Sequence, residues 1–158
     1  MNIDASLKGN YEADIGGIVR DYKGKFLLAF GRKKIHWDIT QLEMVVIKEL
    51  EDVLNGRFCG VEGIIVEGDN KNVIDILHKV HSIPKNMDEG SMIEDSSLLI
   101  EVNNVIFHWV NHGCNRLADF CASHAVSLDF IWDLFCENVL PSCFCNMVKE
   151  ECVEVPHI

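Results

Sequence analysis

The sequence predicts an α/β fold of mixed α+β character, with one mixed sheet flanked by helices in a single domain. Three observations carry this reading. A β-hairpin pattern opens the chain, the apolar spacing changes from strand-like to helix-like at Thr40, and strand and helix patterns alternate from there to Ala125. The length of 158 residues suits one hydrophobic core.

Met1 to Ala5 reads as a short strand. Ile15 to Asp21 and Phe26 to Phe30 read as a hairpin around the Gly-containing turn Tyr22-Lys23-Gly24-Lys25. From Thr40 the apolar positions Leu42, Val45, Val46, Leu50, Val53 and Leu54 recur at helical steps, with Asn55-Gly56 as the stop. Gly63 to Glu67 is a β-branched run that reads as a buried strand with Asp69 just past its end, and Asn72 to Val80 follows as an amphipathic helix.

Pro84 to Gly90 reads as a loop and Met92 to Glu101 as a further helix. Val105 to Val110 is the fifth strand, Asn111 to Asn115 a turn, and Arg116 to Ala125 the last helix of residues 1–125. The sheet expected from this order has five strands. Residues 126–158 hold Trp132, Phe135, Leu140, Phe144 and Val148, too apolar for a solvated tail, and are expected to pack back on the domain.

Hydrophobic residues at 48% and charged residues at 25% exclude long disorder and fibrous repeats. Apolar runs are too short for a membrane span, and Met1 is followed by Asn2 and Asp4 instead of a basic, then apolar, leader, so neither span nor secretory signal is expected. Seven cysteines, an odd number, then read as reduced thiols of an intracellular protein, nuclear or cytoplasmic. The tail set Cys136, Cys143, Cys145 and Cys152 lacks the short spacing of a zinc knuckle and reads as scattered thiols.

The formal net charge is −11, and it is unevenly spread. Residues 1–57 carry nine basic and nine acidic side chains, whereas residues 58–158 carry five and sixteen. Such a surface repels polyanions at long range, so attraction to a nucleic acid would have to be local.

Four carboxylates stand out by position. Asp4 lies on the first strand, Glu43 at the edge of the first helix's buried stripe, Asp69 at a strand exit and Asp119 on the last helix of the compact part. Carboxylates drawn together from such elements must share protons or bind cations, and an all-oxygen set suits a hard divalent ion. Scattered surface acids are the competing reading.

The segments Asn2-Ile3-Asp4-Ala5-Ser6-Leu7-Lys8-Gly9-Asn10, Ile15 to Ala29, Val66-Glu67-Gly68-Asp69-Asn70 and Asn115-Arg116-Leu117-Ala118-Asp119 resemble the type 1 RNase H domain. More narrowly, they look like the reverse-transcriptase-like RNase H domains of plants that derive from non-LTR retroelements. The resemblance spans about residues 1–125, and the tail with Trp132 and Pro141-Ser142-Cys143 also looks like that group.

This resemblance implies an RNase H-like fold and an endonuclease that cuts the RNA strand of RNA/DNA hybrids. It implies that Asp4, Glu43, Asp69 and Asp119 are the catalytic, metal-holding acids for two Mg2+ ions about 4 Å apart, with Mn2+ as a substitute. By analogy Asp4 bridges both ions, Glu43 and Asp69 hold the ion at the leaving 3'-oxygen, and Asp119 completes the one that activates water. The products would be a 5'-phosphate and a 3'-hydroxyl, and the RNA strand would be recognised through successive 2'-hydroxyls across the minor groove. Two bound Mg2+ would bring the formal charge from −11 to −7.

His112 is the nearest counterpart of an auxiliary histidine, on a shorter loop than in bacterial and retroviral members. Lys8, Lys33, Lys34, Lys48 and Asn115 are the expected nucleic-acid contacts, on a monomer. Two departures from the family pattern bear on activity. Asp38 to Leu42 stands where many members have asparagines, an extra acid expected to weaken the groove. Met1 stands close before Asp4, whereas a strand usually has about five or six residues, so a truncated first strand is expected. The alternative function is a catalytically weak or inactive retroelement-derived module that binds nucleic acid or protein.

Overall fold

The computed structural model describes residues 1–54, 57, 61–82, 104–133 and 139–153. Strands β1 (Asn2–Leu7), β2 (Glu12–Arg20) and β3 (Phe26–Ile35) form an antiparallel meander, followed by α1 (Ile39–Leu54). Then come β4 (Ile64–Gly68), α2 (Lys71–His81), β5 (Val105–Trp109), a 3-10 turn (His112–Cys114), α3 (Arg116–His124), β6 (Phe130–Asp133) and α4 (Ser142–Val153). The expected stop at Asn55-Gly56, loop from Pro84 and helix from Met92 lie outside the described residues.

The strands make one open mixed sheet in the order β5-β4-β1-β2-β3-β6. β4 runs parallel to both β1 and β5, and β6 pairs antiparallel to β3. Among the described residues the sheet therefore has six strands where five were expected. The extra strand is short, and its pairing of Phe130 with Gly31 and Trp132 with Ala29 is fixed by β3 and not by any local pattern. The opening strands also run further than the hydrophobic pattern indicated. β1 continues to Leu7, and the β2–β3 ladder includes polar pairs such as Asp14 with Lys33.

Helices cover both sheet faces, which is why β2 is buried along nearly its whole length. One face packs Ile3, Ile15, Leu28 and Phe30 against Leu42, Val46, Leu50 and Val53 of α1 and Val73, Ile74 and Leu77 of α2. On the other, Ile18, Ala29 and Trp132 meet Leu117 and Cys121 of α3 and Phe144 of α4. Gly16 admits α3 on that second face. A Cβ there would lie 2.2 Å from the backbone nitrogen of Ala122, so any side chain would push the helix off the sheet. Among the described residues no helix is long and apolar enough to cross a membrane.

Candidate active site

The sheet's hydrogen-bond register brings the first two acids together. Asn2 of β1 is level with Glu67 of the parallel β4, so Asp4, two residues on, stands beside the exit of β4 where Asp69 follows Gly68. Glu43 comes from the second turn of α1 and is buried with that helix's apolar stripe. Asp119 is carried by α3, which the Gly16 contact seats over β2 directly opposite Asp4 in the ladder. All four carboxylates line one open cleft of about 510 Å³, together with Asn70, Lys71 and His112.

Neighbouring side chains hold these acids in place. Asn70 donates from Nδ2 to Glu43 Oε1 at 3.1 Å, while its Oδ1 accepts from the backbone nitrogens of Asn72 and Val73 and so caps α2. His112 Nδ1 lies 2.8 Å from Asp69 Oδ2, and Trp109 Nε1 donates to the Asp69 carbonyl at 2.9 Å. The 3-10 turn bearing His112 is capped in turn by the side chain of Asn111, which accepts from Cys114 N.

The electrostatics report crowding of negative charge. Burial, then Asp69, Asp119 and Glu43, push the Asp4 carboxyl up to about 7 from an ordinary 3.8. Glu43 also rises to about 7, by burial and by Asp69, against the lowering effect of the Asn70 hydrogen bond. His112 is shifted upward, first by its hydrogen bond to Asp69 and then by the charges of Asp69 and Asp119. Each of these shifts favours a bound cation or proton in the cleft. Among the described residues, no three His, Cys, Asp or Glu side chains stand close enough to enclose a metal ion, so the acids share an open cleft and not a closed cage.

The expected nucleic-acid contacts divide. Lys8 reaches Asp14 at 3.0 Å, and Lys34 is paired with Glu49. Lys33 is exposed at the same end of the sheet, level with Asp14 and Ser6 in the ladder. Lys48 is on α1, about 140° around the helix from Glu43, and does not line the cleft. Asn115 departs from its expected role: it is 1% exposed and donates to the Ile3 carbonyl at 2.9 Å, tying the start of α3 to β1. Asp38 spends its carboxylate on the N-terminus of α1, accepting from Gln41 N at 2.8 Å.

Sequence reasoning missed Asn70 and Trp109. The first had a usable signal, an Asn immediately before a helix and after a strand. The second had none, because its indole meets Asp69 only through the β4–β5 pairing. In the tail, Cys143 is exposed and Cys145 half-buried on α4, while Cys59 and Cys136 lie outside the described residues.

The sequence profile of the reverse transcriptase-like family matches residues 2–125, which hold all four acids. The chain belongs to that family. Solved structures similar to this reverse transcriptase-like chain are RNase H domains. RNase H1 from the halophilic archaeon Halobacterium salinarum NRC-1 is 17% identical with a TM-score of 0.62, over 80% of this chain and 95% of its own. LC11-RNase H1 in complex with an RNA/DNA hybrid is 19% identical with a TM-score of 0.62, over 80% and 94%. The N-terminal RNase H domain of rv2228c from Mycobacterium tuberculosis, solved as a maltose-binding-protein fusion, is 17% identical with a TM-score of 0.62, over 80% and 92%. These likenesses establish the RNase H-like fold. No curated protein sequence matches the reverse transcriptase-like chain.

Proposed function

We propose that the protein is a divalent-metal-dependent ribonuclease that cuts the RNA strand of RNA/DNA hybrids. The observation that carries this is the assembly of Asp4, Glu43, Asp69 and Asp119 along one cleft, with Asp4 feeling the charge of the other three. Four acids held near one another against their mutual repulsion are costly for a scaffold and useful to a cation site. The complex of LC11-RNase H1 with a hybrid adds the substrate class by analogy of fold.

The donor set fits Mg2+ or Mn2+, because every candidate ligand is a hard carboxylate oxygen. Such ions, held by Asp4, Glu43, Asp69 and Asp119, would supply an activated water and stabilise the leaving oxygen of the phosphodiester. The protein's own contribution is positioning and charge. Asn70 keeps Glu43 turned into the cleft, and Trp109 and His112 fix the backbone and carboxylate of Asp69. His112, exposed at the cleft rim with its proton affinity raised by Asp69, is placed to give or take a proton at Nε2 while Nδ1 stays on the carboxylate.

The test is cleavage of an end-labelled RNA/DNA hybrid by purified protein in Mg2+ or Mn2+, beside Asp69→Asn. Cleavage by wild type that the variant loses by at least about a hundredfold supports the reading. Equal cutting by both, or by neither, leaves a binding module as the better description.

A further inference from the structure

A second feature of the same end of the molecule plays no part in the acidic cleft. Trp37 is 72% exposed and Tyr11 63% exposed, two large aromatic side chains left in solvent on neighbouring segments. The backbone joins them, since His36 N donates to the Tyr11 carbonyl at 3.0 Å. The Trp37 ring is also stacked. His36 and Trp37 stack with centroids 5.0 Å apart and planes at 19°, and His36 Nδ1 accepts from Asp38 N, which fixes the imidazole.

Tyr11 adds a mark of its own. Its φ is +63°, in the left-handed region where Gly or Asn would sit at less cost, and among the described residues it alone combines positive φ with a side chain. Retaining a strained tyrosine whose ring is exposed makes sense if the ring meets something. The chain leads from this site to the cleft. Trp37 lies two residues before α1, and Ile39 to Glu43 spans about 6 Å of that helix.

We propose that Tyr11, His36 and Trp37 form a stacking platform for unpaired bases of a nucleic-acid strand running past the duplex at the acidic cleft. The proposal rests on the hybrid-nuclease reading for its substrate class. Flat, preorganised rings bind unstacked bases of any sequence, whereas bases inside a duplex hide their faces. The charge pattern agrees. Lys8 and Lys34 flank the platform, but Asp14 and Glu49 already match them, so phosphate attraction is damped and the rings must supply much of the affinity. The platform would thus let an acidic chain hold a polyanion through base faces.

The experiment measures fluorescence anisotropy of a labelled oligodeoxythymidine of about fifteen nucleotides, long enough to cross the cleft and the platform. Wild type, Trp37→Ala, Trp37→Phe and Tyr11→Gly are titrated at two salt concentrations, and the same wild-type preparation is assayed for hybrid cleavage. Trp37→Ala is expected to weaken binding roughly tenfold, Trp37→Phe to restore most of it, and the ratio to persist at higher salt. Tyr11→Gly is expected to weaken binding while raising the melting temperature, a combination that a structural role alone would not produce. The proposal is overturned if wild type does not bind the strand, or if Trp37→Ala binds it as tightly, whatever the cleavage assay shows. Trp37-dependent binding by a protein that cuts no hybrid would keep the platform and remove the nuclease reading.

Discussion

The Cβ that Gly16 lacks would fall 2.2 Å from the backbone nitrogen of Ala122, so α3 presses on the sheet directly opposite Asp4 in the ladder. That approach sets where Asp119 stands. Gly16→Ala is therefore expected to lower stability by about 3 kcal/mol, because neither backbone can yield without moving α3. Gly9→Ala, which meets nothing within 4 Å, should stay within about 0.5 kcal/mol. Urea unfolding of the two variants checks the contrast, and a loss for Gly16→Ala no larger than for Gly9→Ala would show that the contact is not limiting.

Asp4 and Glu43 are both pushed up to about 7 in the folded protein. A carboxyl whose folded pKa is raised binds more protons folded than unfolded, so its favourable contribution is complete below the unfolded value and is lost as pH rises through the folded one. Without divalent ions, the melting temperature should fall as pH rises from about 5 to about 8. At about 1.4 kcal/mol per pKa unit, Asp4→Asn should recover on the order of 2 to 4 kcal/mol at the alkaline end. Magnesium should raise the wild-type melting temperature more than that of the variant, and a flat wild-type profile would contradict the picture.

Asn70 serves two helices at once, and two substitutions separate the roles. Asn70→Ser keeps an oxygen that can cap α2 but is too short to donate to Glu43, so metal affinity should drop while α2 stays capped. Asn70→Ala removes both functions and should cost about 1 kcal/mol of stability in addition. Calorimetric titration with Mg2+ beside thermal melts reads the two effects. Equal metal affinity in wild type and Asn70→Ser would mean that Glu43 needs no such support.

Binding of a blunt hybrid should be weak and salt-dependent. Under the proposed function its phosphate contacts would be drawn from Lys8, Lys33 and Lys34, in a chain of net charge −11. About two to three contacts predict a fall in affinity of roughly ten- to fortyfold between about 50 and 200 mM salt. Affinity unchanged over that range would rule out a phosphate-led interface.

Much of this was legible in the sequence because it was written in local patterns. The helical spacing of Leu42, Val46, Leu50 and Val53 marked α1 and set Glu43 at the edge of its buried stripe, and the Ile64 to Val66 run placed Asp69 at a strand exit. The six-residue set from Asn111 to Arg116 likewise read as a turn into a helix. What escaped depended on residues far apart in the chain. β6 exists because β3 offers it an edge, and Asn115 is buried because Ile3 offers it a carbonyl.

By its own composition and periodicity the sequence determined the element types, the meander-then-alternation order and where along those elements the four acids fall. Those properties follow from side-chain spacing within about ten residues, which the chain carries with it unfolded or folded. The tertiary structure alone decided that β1 and β4 align Asp4 with Asp69, that a missing side chain at residue 16 seats α3, and that Tyr11 and Trp37 remain in solvent on segments joined by the His36 N to Tyr11 carbonyl hydrogen bond. Strand register and helix docking are collective results of packing two faces of one sheet, and no local window of sequence contains them.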